Sequence, residues 1–197
     1  AIARALAAEP KVLLLDEPFS ALDENLRESM RSFILDIHRR TGITVVMVTH
    51  NQNEALSMSD HVAVMSEGRI IQVGTPKEIY HNPANLETAL YLADATVLRG
   101  ASDGRTFCSQ KGIEIPCAIT SDSLVAVVRR RSLSIADQGQ EMVVEGVRYK
   151  GGSSELVLGK GGESLLVSVE EGFGAGVGDR VKVSFDVDEV FYYEEGR

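Results

Sequence analysis

The chain has 197 residues, 44% of them hydrophobic, and a formal net charge of −9. Its length suits one large or two small globular domains, and its apolar runs are too short for a membrane helix. The acidic balance argues against nucleic acid as the main partner.

The first informative element is an apolar run over residues 12–15, Val-Leu-Leu-Leu, which is followed by Asp16 and Glu17. This pattern predicts a short strand buried on both faces. Open α/β sheets place ligands at the carboxyl ends of their strands. An aspartate there suits a magnesium ion, and an adjacent glutamate suits a water molecule that attacks a phosphate.

An amphipathic helix is predicted next, with Asp23 as its cap and Gly42 at its end. Its apolar residues share one face at helical spacing: Leu26, Met30, Phe33, Ile34 and Ile37. A second buried strand over residues 44–49 then stops at His50. Because both strands belong to one parallel sheet, we expect their carboxyl ends to open into the same crevice.

Shorter elements follow up to residue 95. We expect a helix over 52–58, two strands over 61–65 and 69–73 joined by a turn at Glu67-Gly68, and a helix that opens with Thr75-Pro76-Lys77-Glu78. The last sequence is a capping box with proline at the first helical position. Asn82-Pro83 ends that helix, and a final helical stretch covers 86–92.

From Thr96 onward, short β-type runs alternate with glycine-rich turns, which predicts a small closed or nearly closed β-barrel. Gly159-Lys160 and the alternating glycines of 172–178 are interpreted as turns, because a phosphate cradle needs a strand before it and a helix after it.

Two further features of this half carry no predicted chemistry. Arg129, Arg130 and Arg131 are interpreted as a solvated strand end. Cys108 and Cys117 match no metal or redox spacing and are interpreted as reduced and structural, with a disulfide across one hairpin as the alternative.

Four segments of the first 95 residues together resemble the C-terminal part of the ATP-binding subunit of an ABC transporter. LLLDEP resembles its Walker B strand with the catalytic glutamate, SALD its D-loop, VTHNQNEAL its switch-histidine segment, and HVAVMSEGRIIQVGTPKEIYHNPAN the tail of importer ATPases. The resemblance implies an α/β fold, with part of a P-loop NTPase nucleotide-binding domain over 1–95. It also implies an all-β regulatory barrel of the OB-like kind over 96–197, as in importers of polyamines, ferric iron, sulfate or sugars.

The resemblance also assigns roles to five residues. Asp16 would hold the Mg²⁺ of ATP through water, Glu17 would orient or deprotonate the attacking water, and His50 would contact the γ-phosphate. Ser20 and Asp23 would reach across to a partner subunit. The implied assembly is a homodimer of ATPase subunits with membrane permease subunits and a solute-binding protein, cytoplasmic and peripheral on the inner face of the membrane.

The family's other ATP-binding motifs do not occur in these residues. No G-x-x-x-x-G-K-[ST] loop and no LSGGQ signature is present, and the Q-loop glutamine is missing, while residues 1–6 resemble the helix that follows the signature. We therefore expect residues 1–197 to neither bind ATP tightly nor hydrolyse it. We also expect 1–95 to be partly rearranged or covered by a partner chain, and 96–197 to fold alone.

Two other functions stay open on the sequence. The chain could act chiefly as a regulatory ligand-sensing or dimerisation module, or it could belong to an ABC ATPase outside transport. The acidic charge weighs against the second, because such proteins in DNA repair or translation would need a basic surface.

Overall fold

The computed structural model describes residues 2–6, 8–92 and 94–195, and the chain divides between Tyr80 and His81 into two compact units. Ala1 and Ala7 of the predicted N-terminal helix lie outside the described residues.

The first unit contains one parallel strand pair, one hairpin and several helices. Its elements are α1 (Ile2–Leu6), β1 (Val12–Asp16), α2 (Glu24–Thr41), β2 (Thr44–Val48), α3 (Gln52–Met58), β3 (Val62–Ser66), β4 (Arg69–Gly74) and α4 (Pro76–His81). β1 and β2 pair in parallel, from Val12 opposite Thr44 to Asp16 opposite Val48, and α2 connects them. β3 and β4 form a separate antiparallel hairpin. The α/β prediction is confirmed for this unit.

The ends of α2 are fixed as predicted. The Asp23 carboxylate accepts a hydrogen bond from the backbone N–H of Leu26 at 3.0 Å. Gly42 has a φ of +65° and donates its N–H to the carbonyl of His38. A side chain would strain that left-handed backbone, so glycine suits the position.

The prediction that β1 is buried on both faces is wrong. Leu13 and Leu15 are buried, whereas Leu14 is 73% exposed and Val12 is 49% exposed. The buried face packs against α2 through residues such as Ile34. Because side chains alternate across a strand, covering one face leaves the intervening apolar residues in solvent.

The predicted turn and capping box are both present. Glu67 and Gly68 have φ values of 47° and 75°, the two positive angles of a type I′ hairpin turn. At the start of α4, Glu78 accepts from the Thr75 N–H at 2.8 Å, and the Thr75 hydroxyl oxygen accepts from the Glu78 N–H at 3.3 Å. The hydrogen bonds that Thr75 donates lower the pKa of the Glu78 carboxyl.

The second unit is almost entirely β. It contains α5 (Leu86–Tyr91), β5 (Ala95–Asp103), β6 (Thr106–Ser109), β7 (Glu114–Pro116), β8 (Thr120–Arg129), β9 (Leu133–Tyr149), β10 (Ser153–Lys160), β11 (Glu163–Glu170), β12 (Arg180–Phe185) and β13 (Val190–Glu194). A five-stranded sheet has the order β13-β8-β5-β6-β7, and a four-stranded sheet has the order β11-β10-β9-β12.

Both sheets line one apolar core, but they do not form one closed sheet. Leu98 and Phe107 enter this core from the five-stranded sheet, and Met142 and Leu158 enter it from the four-stranded sheet. Within the described residues the two sheets share this core without joining into one closed sheet, so of the predicted closed or nearly closed barrel the fully closed form is not observed. The all-β character of this half is confirmed.

The second compact unit begins at His81, whereas the sequence predicted a boundary between residues 95 and 96. The Tyr193 hydroxyl of β13 donates to the carbonyl of Pro83 at 2.9 Å, and Thr88 and Ala89 of α5 are fully buried. The segment 81–95 accordingly groups with the β unit in the structure.

The prediction that the three consecutive arginines are solvated is wrong for Arg129. Its side chain is 2% exposed, lies 4.4 Å from the ring centre of Phe191, and pairs with Glu189 at 3.3 Å. Arg130 pairs with Asp94 at 2.6 Å. A buried arginine needs such partners, and the acidic residues that supply them are distant in sequence.

Both cysteines are free in the structure. Cys108 is exposed and Cys117 is buried, so the disulfide alternative is wrong here.

Candidate functional site

Two side chains of the predicted site meet at the carboxyl end of the parallel strand pair. The Glu17 N–H donates to the carbonyl of Val48 at 2.9 Å, which extends the β1–β2 ladder by one residue. His50 follows β2, and its Nδ1 lies 3.3 Å from Oε1 of Glu17. Both side chains are open to solvent, with 48% and 74% of their surface exposed. The prediction that the carboxyl ends of β1 and β2 lie side by side is thus confirmed.

Glu17 has an unusual backbone. Its φ is +41°, in the left-handed region that non-glycine residues rarely adopt. Its carbonyl accepts from the Ser20 N–H at 3.2 Å and from the Ser20 hydroxyl at 3.0 Å. Together with the bond to Val48, these contacts hold the turn. Strained backbone of this kind costs on the order of 1–3 kcal/mol and clusters at functional sites.

Asp16 is the last residue of β1 and is exposed. Mg²⁺ keeps several waters and is usually bound by one or two carboxylates together with substrate phosphates. An exposed carboxylate beside Glu17 fits that requirement. Among the described residues, no group of three or more His, Cys, Asp or Glu side chains is arranged to hold a metal ion. The donor set therefore fits a hydrated Mg²⁺ that arrives with a phosphate, and it does not fit a dedicated protein cage.

Ser20 and Asp23 have local partners in the structure. The Ser20 hydroxyl supports the Glu17 turn, and the Asp23 carboxylate caps α2. Both residues are exposed. Their predicted contact with a partner subunit stays a prediction.

A second layer of polar contacts lies beneath His50. The Thr49 hydroxyl donates to the Glu54 carboxylate at 2.5 Å and accepts from the Asn51 N–H at 3.0 Å. Glu54 is 4% exposed and pairs with the Arg31 guanidinium of α2 at 3.3 Å. The turn that carries His50 is therefore tied to an ion pair whose carboxylate is buried.

The same ion pair reaches the segment that carries Glu17. The Arg31 guanidinium lies 6.0 Å from the ring centre of Phe19, a side chain that is 1% exposed. Burial lowers the pKa of Arg31, but its hydrogen bonds with Glu28 and Glu54 outweigh burial and leave the pKa raised. Arg31 is therefore charged at any physiological pH.

Sequence reasoning identified Glu17 and His50 but missed Glu54 and Arg31. Both are charged residues on helices, and the default expectation for such residues is exposure. One hint of polar contacts near His50 was present in the sequence, the neighbouring Thr49, because Thr and Asn side chains often form hydrogen bonds with nearby backbone at the start of a helix.

The β unit contains an open groove of about 530 Å³ between its two sheets. The Gln140 amide oxygen, in the orientation that satisfies both neighbours, accepts from the Glu114 N–H at 2.8 Å and from the Lys160 ammonium at 3.0 Å. Glu141 and Ser184 also line the groove. Its lining is mixed in charge.

Within the described residues, no helix combines the length and apolar character that a membrane crossing needs.

Comparison with curated proteins finds importer subunits. An Fe(3+) ions import ATP-binding protein of Rhodococcus jostii is 42% identical over 162 residues, which cover 81% of this chain and 46% of the relative. A spermidine/putrescine import ATP-binding protein of Clostridium novyi is 39% identical, covering 85% of this chain and 50% of the relative. A sulfate/thiosulfate import ATP-binding protein of Agrobacterium fabrum is 38% identical, covering 87% of this chain and 48% of the relative.

The chain spans about half the length of the curated relatives that it matches. No family model matches it. The names of these relatives agree with the family that the segments around Asp16, Glu17 and His50 resemble. The chain is therefore homologous to the ATP-binding subunits of ABC importers, and the order of its motifs is consistent with the C-terminal part of such a subunit.

Proposed function

We propose that this chain supplies the hydrolytic half of an ATP site in a subunit that energises an ABC importer. The observation that carries the proposal is the 3.3 Å approach of the Glu17 carboxylate to the His50 imidazole at the end of the parallel pair. The homology to importer ATP-binding subunits supports it.

In this proposal Glu17 orients the attacking water and accepts its proton. Its carboxylate is exposed to an incoming substrate and is held at a fixed turn by Val48 and Ser20. A positioned general base contributes about 10²–10⁴-fold to a rate. His50 contacts the γ-phosphate and keeps the water and phosphate aligned.

Asp16 would hold the Mg²⁺ that accompanies ATP, through water. When bound, the ion neutralises charge that develops on the phosphates. Ser20 and Asp23 would contact the partner subunit of an ATPase dimer, in addition to their local roles.

The partners in this proposal are a second ATPase subunit, membrane permease subunits and a solute-binding protein, with the chain on the cytoplasmic face of the membrane. Nucleic acid is not a partner, in keeping with the net charge of −9. Ferric iron or a polyamine is the proposed cargo, because the relatives named for iron and for spermidine/putrescine are 42% and 39% identical to this chain, against 38% for the relative named for sulfate/thiosulfate.

Residues 1–197 contain no phosphate-binding loop. The backbone donors and the lysine that cradle the β- and γ-phosphates are therefore missing from this stretch. We propose that these residues alone do not hydrolyse ATP, and that the site works only together with a phosphate loop and a signature motif.

A second candidate function concerns the β unit, for which we propose a regulatory role. The groove between its sheets, with Lys160 and Glu141 on its lining, supports a ligand-sensing version of that role. Calorimetry with molybdate, ferric iron and spermidine tests it. Saturable binding that Lys160→Ala weakens would support sensing, and no heat from any of them would leave dimerisation as the regulatory role.

The main proposal is tested with a chimera in which residues 1–95 replace the corresponding segment of the Rhodococcus jostii relative. Steady-state ATP hydrolysis and ATP binding are measured. We expect Glu17→Gln to lower kcat by about 10²-fold or more while ATP binding persists.

Glu67→Gln is the matched control, because Glu67 is also a glutamate with a positive φ but lies in the β3–β4 turn. Its activity should equal that of the parent chimera. Unchanged kcat in the Glu17→Gln chimera would reject Glu17 as the base.

A further inference from the structure

We propose that Glu54 is a positioning residue for His50. It acts through the Thr49 hydroxyl on the turn that carries His50, and through Arg31 and Phe19 on the segment that carries Glu17. The inference rests on the proposed function for its catalytic meaning, but the contacts themselves need no nucleotide.

Glu54 is a buried charged residue. Its side chain is 5% exposed, and it lies on α3, a helix of seven residues. A buried carboxylate is costly unless it is paired and hydrogen-bonded. Here Oε1 faces Arg31 and Oε2 accepts from Thr49. Both oxygens are thus used to connect other elements.

Thr49 connects Glu54 to the turn that carries His50. Its hydroxyl donates to Glu54 and accepts from the Asn51 N–H, so these two hydrogen bonds bracket His50 on both sides. The Asn51 side chain in turn caps α3 by accepting from the N–H groups of Asn53 and Glu54. The backbone at His50 therefore has little freedom, although its imidazole is 74% exposed.

Arg31 connects the same ion pair to the segment that carries Glu17. Phe19 lies two residues after Glu17, is 1% exposed, and has the Arg31 guanidinium over its ring at 6.0 Å. Arg31 is 15% exposed. The Glu54–Arg31 ion pair thereby contacts both loops, whose side chains meet at 3.3 Å. A displacement of about 1 Å in such a constellation can cost about 10²-fold in rate.

The primary test uses histidine-selective labelling of the 197-residue chain, which has four histidines, and follows the imidazole signals of His50 by NMR. In the wild-type chain, Glu17→Gln should shift these signals, because it changes the charge 3.3 Å away. In a Glu54→Ala background, we expect that shift to shrink about twofold or more, as the coupling between the two loops is lost.

Glu28→Gln is the matched control, because Glu28 also pairs with Arg31, at 3.2 Å, but its side chain is 70% exposed, whereas that of Glu54 is 5% exposed. It should leave the response of His50 to Glu17→Gln unchanged. Thr49→Val should reproduce the effect of Glu54→Ala, and Thr49→Ser, which keeps the hydroxyl, should restore the wild-type response.

If Glu54→Ala fails to fold, the comparison of Thr49→Val with Thr49→Ser decides the question. A folded Glu54→Ala or Thr49→Val chain with the full wild-type response would overturn the proposal. In the chimera, Glu54→Ala should lower kcat with little change in the KM for ATP. Failure of the proposed function is recognised separately, by wild-type kcat in the Glu17→Gln chimera while the NMR coupling persists.

Discussion

The two units of this chain differ in how completely they enclose their apolar residues. In the part of the chain that the structure describes, the main apolar cluster of the α/β unit contains five buried residues, and that of the β unit contains seventeen. The α/β unit leaves Leu14 and Val48 exposed on the open face of its strand pair. The β unit places two sheets around one core.

The unit with the smaller core carries the residues of the candidate ATP site. Polar contacts there hold individual side chains, as the Glu54–Arg31 pair does beneath His50. In the β unit, an ion pair of similar kind joins the buried Arg129 to Glu189, and no catalytic residue is predicted in that unit. A buried charged pair is therefore not by itself evidence of a functional site.

The largest expected effect concerns the β core. Phe107 is fully buried, so Phe107→Ala should destabilise the β unit by about 3–5 kcal/mol. Phe33 of α2 is 48% exposed, and Phe33→Ala should cost less than about 1 kcal/mol. Urea titrations that follow amide signals of each unit separately measure both. Equal losses in the free energy of unfolding would contradict the tighter packing of Phe107 compared with Phe33.

A sharper comparison uses two neighbouring leucines of β1. Leu13 is 5% exposed and Leu14 is 73% exposed. We expect Leu13→Ala to cost about 2–4 kcal/mol in the α/β unit and Leu14→Ala to cost about 0.5 kcal/mol or less. The same unit-specific urea titration applies. A large loss at Leu14 would mean that the open face of the strand pair is covered in solution.

The smallest effect tests where the units divide. Tyr193→Phe removes the hydroxyl that donates to Pro83 and should cost the β unit about 0.5–1.5 kcal/mol. Burial raises the pKa of Tyr193 to about 12, with Arg129 opposing part of the shift.

Since this folded-state pKa lies above the unfolded value of about 10, the tyrosine's contribution is complete below about pH 10 and is lost as the pH rises through about 12. Tyr193→Phe should therefore weaken the alkaline loss of stability, measured by thermal unfolding between about pH 8 and pH 12. An unchanged alkaline profile would contradict the burial of the Tyr193 hydroxyl in the folded state.

Much of the α/β unit was predictable because its signals are local. The cap at Asp23, the turn at Glu67-Gly68 and the capping box at Thr75 each depend on a few adjacent residues, and each is present. The convergence of Glu17 and His50 followed from a general rule about parallel strands.

The features that sequence reasoning missed depend on distant partners. The burial of Arg129 requires Glu189 and Phe191, which lie about 60 residues further along the chain. The one-sided burial of β1 depends on what packs against its second face, which a run of apolar residues does not reveal. For the same reason, the pairing of Glu54 with Arg31 was not foreseen.

Glu17 and His50 are proposed to form half of an ATP site whose phosphate-binding half is missing from residues 1–197. Phosphate release from Mg-ATP, measured for the purified 197-residue chain and its Glu17→Gln variant, is the decisive test. We expect both proteins to release phosphate at the rate of the protein-free blank. Hydrolysis by the wild-type chain that Glu17→Gln abolishes would contradict this proposal.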